Sequence, residues 1–121
     1  MEREESLEAA FAEPSSFSCP ACGGSLREVR DPDVLRFRCR VGHAYAVESL
    51  LNGQSQTLDT ALWTALRALE ERAELGRRVG RRLREGSVAG RAERYDRMVE
   101  EAERSGRVLR DVLLGRNAGG N

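Results

Sequence analysis

Residues 37–45 read FRCRVGHAY, and this stretch places the third cysteine, Cys39, four positions before the only histidine, His43. An earlier stretch, FSCPACGGSL at residues 17–26, carries the other two cysteines, Cys19 and Cys22. Sixteen residues separate Cys22 from Cys39, a gap within the spacing usual for a zinc ribbon. The candidate metal ligands are therefore Cys19, Cys22, Cys39 and His43.

Three thiolates and one imidazole match the donor set of structural Zn²⁺ sites. Glycine follows the first pair at Gly23-Gly24 and precedes His43 at Gly42, where a tight corner favours a residue that accepts positive φ. Four protein ligands leave no open coordination position, so we expect one structural Zn²⁺ and no catalysis at the metal. We expect nearby arginines to offset the negative charge of the site: Arg36, Arg38 and Arg40.

The segment 17–45 predicts a β-hairpin between two cysteine-bearing corners. Residues 26–30 read as a short strand, and Asp31-Pro32-Asp33 signals a turn. Residues 34–39 alternate apolar and arginine side chains, as in a half-buried strand. Before this ribbon, residues 1–16 are predicted to be an acidic, flexible leader, within which a short helix over 5–12 is an alternative.

The second half of the chain predicts two long helices that form an antiparallel hairpin over residues 46–115, followed by a flexible tail at 116–121. Its apolar residues recur in heptads. The first seam runs through positions 51, 55, 58, 62, 65, 69, 72, 76, 79 and 83, and the second through 88, 92, 95, 99, 102, 106, 109 and 113. Gly76 and Gly80 predict a kink or fraying in the first helix. The predicted fold class is a small α+β protein, a zinc-ribbon hairpin followed by a two-helix hairpin.

The overall composition excludes several classes of function. The 121 residues include 20 basic and 20 acidic side chains, so the formal net charge is zero, which disfavours a general nucleic-acid binder. No apolar run is long enough to cross a membrane, and three cysteines are an odd number for a disulfide framework. We expect a cytoplasmic protein. The only histidine is assigned to the metal and no nucleotide-binding fingerprint occurs, so we expect no enzymatic activity.

The helical hairpin carries more apolar residues than its two seams use. These extra positions predict a further partner, which is the ribbon, a second copy or another protein: Leu66, Leu75, Met98, Val108, Val112 and Leu114. Trp63 and Tyr95 are interpreted as core or interface residues. An arginine cluster is interpreted either as a solvated helix end or as an anion-binding patch: Arg77, Arg78, Arg81, Arg82 and Arg84.

The stretches FSCPACGGSL, LRFRCRVGHAY and, further on, ALWTALRALEER resemble a C-terminal zinc-ribbon extension of bacterial chemotaxis protein-glutamate methylesterases. The resemblance covers roughly residues 17–110. It implies a role near chemoreceptor methylation or a related two-component pathway, with a binding role for the helices. The esterase domain of that family has no counterpart in this sequence, so its activity is not implied. Where family members often have Ser-Pro, this chain has Ala46-Val47, which leaves the helix start less well defined.

Together these observations predict a non-catalytic interaction module that binds a protein through the helical hairpin or forms a homodimer. A methylesterase or another chemoreceptor-pathway protein is the expected partner. Two alternatives stay open, a nucleic-acid-associated zinc ribbon that uses its arginines and an accessory subunit of a separate methylesterase.

Overall fold

The computed structural model describes residues 12–32, 34–86 and 89–119. Its elements are β1 (Ala12–Ser18), β2 (Ser25–Asp31), β3 (Val34–Cys39), β4 (Ala44–Ala46), α1 (Val47–Glu85), a 3₁₀ turn (Ala89–Arg91) and α2 (Ala92–Gly119). The predicted fold class, a small α+β protein with a sheet followed by two packed helices, is confirmed.

The sheet is antiparallel, and its strands lie in the order β1-β2-β3-β4. The central β2–β3 pair is the predicted hairpin, in which Leu26 lies opposite Cys39. The sheet is larger than that hairpin, because β1 pairs with β2 and β4 pairs with β3. The predicted leader over residues 1–16 therefore overlaps β1, where Pro14 pairs with Arg27. Residues 1–11 lie outside the described part of the chain, as does all but the last position of the alternative helix over 5–12.

The apolar core of the sheet lies on one face. Alternation along β3 directs Phe37 and Cys39 into this core, as the sequence pattern predicts. The buried cluster consists of Cys19, Leu26, Phe37, Cys39 and Leu50, with Tyr45 packed against it. Since Leu50 belongs to the first turn of α1, the start of this helix is part of the ribbon. The chain divides into two compact units, Met1–Leu58 and Asp59–Asn121, so α1 begins in the first and continues in the second.

The start of α1 is well defined although no Ser-Pro pair precedes it. The side chain of Ser49 accepts a hydrogen bond from the backbone N–H of Ala46 at 2.9 Å and donates one to the carbonyl of Ala46 at 3.1 Å. Ser49 thus occupies the third helical position, from which a side chain reaches back to the N-cap residue in a capping box. Glu48 in the first turn adds a favourable interaction with the helix dipole.

In the second unit, α1 and α2 are antiparallel, as predicted. Within the described parts of α1 and α2, four ion pairs join the helices, and the residue numbers rise along α1 as they fall along α2: Asp59–Arg116, Glu70–Arg110, Arg77–Glu103 and Arg84–Asp96. All four pairs are substantially exposed to solvent, so each contributes at most about 1 kcal/mol to stability. The spacing of the pairs is therefore consistent with one register along both helices, while the pairs themselves contribute little to the stability of the hairpin.

The seam of α1 differs from the predicted one in half of its positions. Positions 62, 69, 76, 79 and 83 are buried or half-buried as predicted, but 51, 55, 58, 65 and 72 are exposed. The residues that follow the last three of these, at positions 59, 66 and 73, are buried or half-buried instead. The buried residues of this seam include Leu66, Ala73 and Gly80. The predicted register would have buried the charged side chain of Arg72, and the observed one replaces it with Ala73. Leu66, which had been assigned to an extra apolar face, is therefore a core residue.

The predicted seam of α2 is confirmed from position 92 to 113, and position 88 lies outside the described residues. Leu113 is 1% exposed, and Leu66 packs beside Gly106. α2 continues to Gly119, past the predicted start of a flexible tail at 116. α1 is helical through Gly76 and Gly80, where a kink or fraying was predicted. Gly76 instead allows close packing, since a Cβ atom there would lie 2.7 Å from Val99 Cγ2.

Candidate metal centre

The first corner of the site joins β1 to β2. Cys19 and Gly24 close it with a hydrogen bond of 2.7 Å from the Cys19 N–H to the Gly24 carbonyl, and the Gly23 N–H donates to the Cys19 carbonyl at 2.8 Å. Gly23 has φ of +77°, a conformation that L side chains rarely adopt. The corner therefore depends on glycine at this position, as the sequence predicts.

The second corner joins β3 to β4 with a similar pair of hydrogen bonds, each of which spans one residue fewer than in the first corner. The Cys39 N–H donates to the His43 carbonyl at 3.0 Å, and the Gly42 N–H donates to the Cys39 carbonyl at 3.1 Å. Gly42 has φ of +112°, as expected for the glycine that precedes the histidine. Because β2 and β3 are antiparallel, the corner before β2 and the corner after β3 lie at the same end of the sheet.

This pairing brings the four predicted ligands into one cluster. Their ligand atoms all lie within 4.8 Å of one another. The Nδ1 atom of His43 lies 3.3 Å from the sulfur of Cys39 and 3.6 Å from that of Cys19, and the sulfurs of Cys22 and Cys39 are 3.8 Å apart. Cys19 and Cys39 are buried, whereas Cys22 and His43 are exposed. A cluster of three sulfurs and one ring nitrogen at these separations can hold a metal ion.

The protein environment favours the thiolate form of the two buried cysteines. Burial alone would raise the pKa of Cys39, but hydrogen bonds from the backbone amides of His43, Gly42 and Val41 outweigh it and lower the pKa to about 7. Burial also acts to raise the pKa of Cys19, and hydrogen bonds from Tyr45 and from backbone amides of the first corner reverse the direction. Thiolates are the forms that bind metals, so both effects favour metal binding.

Cys22 behaves differently. The backbone of Gly24 acts to lower its pKa, but the neighbouring sulfurs of Cys19 and Cys39, together with partial burial, raise it overall. Three sulfurs in one cluster cannot all ionise easily without a cation, because like charges repel each other. The unfavourable thiolate of Cys22 is thus a consequence of the same clustering that would bind a metal ion.

Sequence reasoning missed the hydroxyl group of Tyr45. Its oxygen lies 3.3 Å from the sulfur of Cys19. The alternation of side chains along a strand could have indicated this position. Tyr45 lies opposite Phe37 in the β3–β4 pair, so its side chain leaves the sheet on the same face as Phe37, which is the core face. Arg36 and Arg38, which were expected to balance the charge of the site, alternate with Phe37 and Cys39 and therefore leave β3 from the opposite face.

The predicted arginine cluster of α1 is largely neutralised by carboxylates. Arg77 pairs with Glu74 and Glu103, Arg78 pairs with Glu74, and Arg84 pairs with Asp96. The side-chain hydrogen bond to Glu103 is the main cause of a raised pKa at Arg77. Two of the five arginines, Arg77 and Arg84, therefore join α1 to α2 and Arg78 pairs within α1, which favours the solvated helix end over the anion-binding patch.

Comparisons of this chain with protein-family models, with curated proteins and with solved structures found no match. Within the described residues, neither long helix is apolar enough over a sufficient length to cross a membrane.

Proposed function

We propose that the chain is a non-catalytic interaction module whose sheet is held together by one structural Zn²⁺ ion. The observation that supports it is the cluster of Cys19, Cys22, Cys39 and His43 at the shared end of the β2–β3 hairpin. Zinc–sulfur bonds of about 2.3 Å and zinc–nitrogen bonds of about 2.0 Å in a tetrahedron correspond to S···S separations of about 3.8 Å and S···N separations of about 3.5 Å. Three of the six separations among the ligand atoms, 3.8, 3.3 and 3.6 Å, lie close to these values, and all six are within 4.8 Å.

A structural role follows from the number of ligands. Four protein ligands complete the tetrahedron of Zn²⁺, so a water or substrate molecule has no coordination position left. Among the residues that the structure describes, the core around the site has five buried side chains, of which two are ligands. Metal binding is then expected to contribute a free energy on the order of 10 kcal/mol, which is larger than such a core supplies.

The metal content of the purified chain tests this proposal. We expect one zinc per chain by mass spectrometry of the metal, and loss of zinc in Cys39→Ser together with unfolding of the sheet. The helices from residue 59 onward should keep their circular dichroism signal. Val41→Ser is the matched control, because Val41 lies in the same corner, is 77% exposed and offers no ligand. Unchanged zinc content in Cys39→Ser would contradict the assignment.

We further propose that the helical hairpin binds a protein of a chemoreceptor-methylation pathway, with a protein-glutamate methylesterase as the first candidate. The resemblance of residues 17–110 to the extension of such enzymes motivates this choice. Support for a binding role comes from apolar side chains that the hairpin leaves exposed: Leu75, Val108, Val112 and Leu114, which are 44–61% exposed. Pairing of most clustered arginines with carboxylates makes a nucleic-acid partner a weaker candidate.

Mixing experiments with a purified methylesterase test the second proposal. We expect a saturable complex that is weakened when Val108 and Val112, one helical turn apart on α2, are both replaced by glutamate. Substitution of the exposed Arg104 by glutamate is a charge control on the same helix. The absence of binding to the methylesterase, or binding of nucleic acid that weakens steeply with salt, would contradict the proposed partner.

A further inference from the structure

The hydroxyl group of Tyr45 approaches the metal cluster from outside its four ligands. It lies 3.3 Å from the sulfur of Cys19, which is 2% exposed and lies 3.6 Å from Nδ1 of His43. Tyr45 is held in place by β4, where it pairs with Phe37, and by packing against the buried cluster of the sheet. The ring is thus positioned by the fold, and the hydroxyl is directed at one particular sulfur.

The direction of this hydrogen bond follows from the chemistry of a metal-bound thiolate. A sulfur bound to Zn²⁺ carries no proton, so it can only accept, and the O–H of Tyr45 must donate. Cys39 receives a comparable bond from the backbone N–H of His43 at 3.3 Å. Both buried sulfurs therefore accept hydrogen bonds from the backbone amides of their corners, and Cys19 also accepts one from the side chain of Tyr45.

We propose that Tyr45 is a positioning residue of the metal centre, which stabilises the Cys19 thiolate through its hydroxyl group and so strengthens metal retention. The inference rests on the proposed zinc site and extends it beyond the four ligands. A hydrogen bond draws electron density from the sulfur and offsets part of the negative charge of a three-thiolate site. Arg36 and Arg38 alternate with Phe37 and Cys39 along β3 and leave it from the opposite face, whereas the hydroxyl of Tyr45 lies within hydrogen-bond distance of the Cys19 sulfur.

Tyr45→Phe tests the role of the hydroxyl group, because it keeps the ring that packs against the core. We expect the variant to bind one zinc with an affinity weakened by roughly tenfold, the lower end of the range for outer-shell partners of metal ligands. The measurement is competition with a chromophoric chelator. Tyr95→Phe is the matched control, since Tyr95 is the other tyrosine and is half-buried in α2 of the second unit. It should leave the zinc affinity unchanged.

A spectroscopic readout separates hydrogen bonding from packing. In the Co²⁺-substituted protein, loss of the hydroxyl should move the sulfur-to-cobalt charge-transfer band to lower energy, because the thiolate becomes more electron-rich. Incorporation of 3-fluorotyrosine in the Tyr95→Phe background labels Tyr45 alone and makes its hydroxyl a stronger donor. That protein should shift the band to higher energy, an effect that impaired folding cannot mimic.

The outcomes distinguish the two proposals. If the unaltered protein binds no metal, the proposed function fails and this inference fails with it. If the unaltered protein and Tyr45→Phe bind zinc with equal affinity and show the same charge-transfer energy, the zinc site stands and the role of Tyr45 is refuted. Band shifts in opposite directions for the phenylalanine and fluorotyrosine proteins, with the affinity loss confined to position 45, would support it.

Discussion

Gly53 of α1 lies directly against Pro20, the residue that follows the first candidate ligand. A Cβ atom built at Gly53 would be 2.6 Å from Cγ and 2.9 Å from Cβ of Pro20, closer than real Cβ contacts occur. Both residues belong to the same compact unit, in which Leu50 also reaches the core around Cys19. The first corner of the metal cluster and the second turn of α1 are therefore packed as one body.

Gly53→Ala should weaken this packing. The proline ring is rigid and its residue is fixed between the two ligands of the corner, so either the helix or the corner must shift. Overpacking of this kind typically costs about 1–3 kcal/mol. We expect a lower free energy of unfolding of the metal-bound sheet and faster transfer of zinc to a chelator. Gln56→Ala, exposed in the same part of α1, is the control. A Gly53→Ala protein as stable as the unaltered protein would show that the contact between Gly53 and Pro20 does not couple α1 to the first corner.

Gly76→Ala should destabilise the hairpin even though alanine favours helices. The new methyl group would lie 2.7 Å from Val99 Cγ2 and 3.1 Å from Met98 Cε. The overpacking cost of about 1–3 kcal/mol is expected to exceed the helix-propensity gain of about 1 kcal/mol. Gly115→Ala on α2, where no atom lies within 4 Å of the new methyl group, should instead raise stability by up to about 1 kcal/mol. Thermal or urea unfolding measures the stability of both variants. Equal changes in unfolding free energy for Gly76→Ala and Gly115→Ala would contradict the close approach at Gly76.

Leu66→Ala tests the register of α1 in the hairpin. Leu66 is 2% exposed, so its truncation is expected to cost about 2–5 kcal/mol of unfolding free energy. Leu58→Ala removes the same atoms from a side chain that is 51% exposed, and should change stability by no more than about 0.5 kcal/mol. Urea denaturation of the metal-bound protein compares them. A larger loss of unfolding free energy in Leu58→Ala than in Leu66→Ala would support the seam predicted from the heptads instead.

Zinc retention should depend on pH through the ligand thiols. The pKa of Cys39 is lowered in the folded state from 9.0 to about 7. A lowered pKa of an acidic group stabilises the folded state above the unfolded value, and this contribution is lost as the pH falls through about 7. Because the pKa of Cys22 is raised above its ordinary value of 9.0, zinc binding must displace the proton of this thiol, so the apparent affinity should already fall gradually from pH 9 to 7.5 against a chelator of pH-independent affinity. Below pH 7 the apparent affinity should fall at least tenfold per pH unit, because protons compete for the thiolates. A flat profile down to pH 5.5 would contradict thiolate ligation.

Several features of the fold could be predicted because they depend on residues near one another in the chain. The alternation along β3 identified Phe37 and Cys39 as core residues, since side chains of a strand leave it on alternating faces. The positive φ of Gly23 and Gly42 followed from the tight corners beside the ligands. The seam of α2 was predicted in full over the described residues, because a heptad row without a charged side chain runs unbroken from Ala92 to Leu113.

Other features could not be predicted because two sequence patterns competed. α1 carries apolar side chains in adjacent rows, one through Leu58 and one through Leu66, and either row reads as a heptad seam. Burial against α2 selects the row with Leu66 and Ala73, since the other would bury Arg72. The start of α1 was less well predicted because Ala46 has no capping side chain, and the hydroxyl of Ser49, three residues later, bonds its backbone instead.

By itself the sequence determined the four candidate ligands, the corners that hold them and the helical nature of the second half, because each depends on local spacing and side-chain type. Only the tertiary structure decided which row of α1 is buried, that Pro20 lies against Gly53, and that the hydroxyl of Tyr45 is directed at Cys19. These contacts join residues 26 to 33 positions apart or belong to different helices. Their geometry follows from how whole elements pack, which no local pattern specifies.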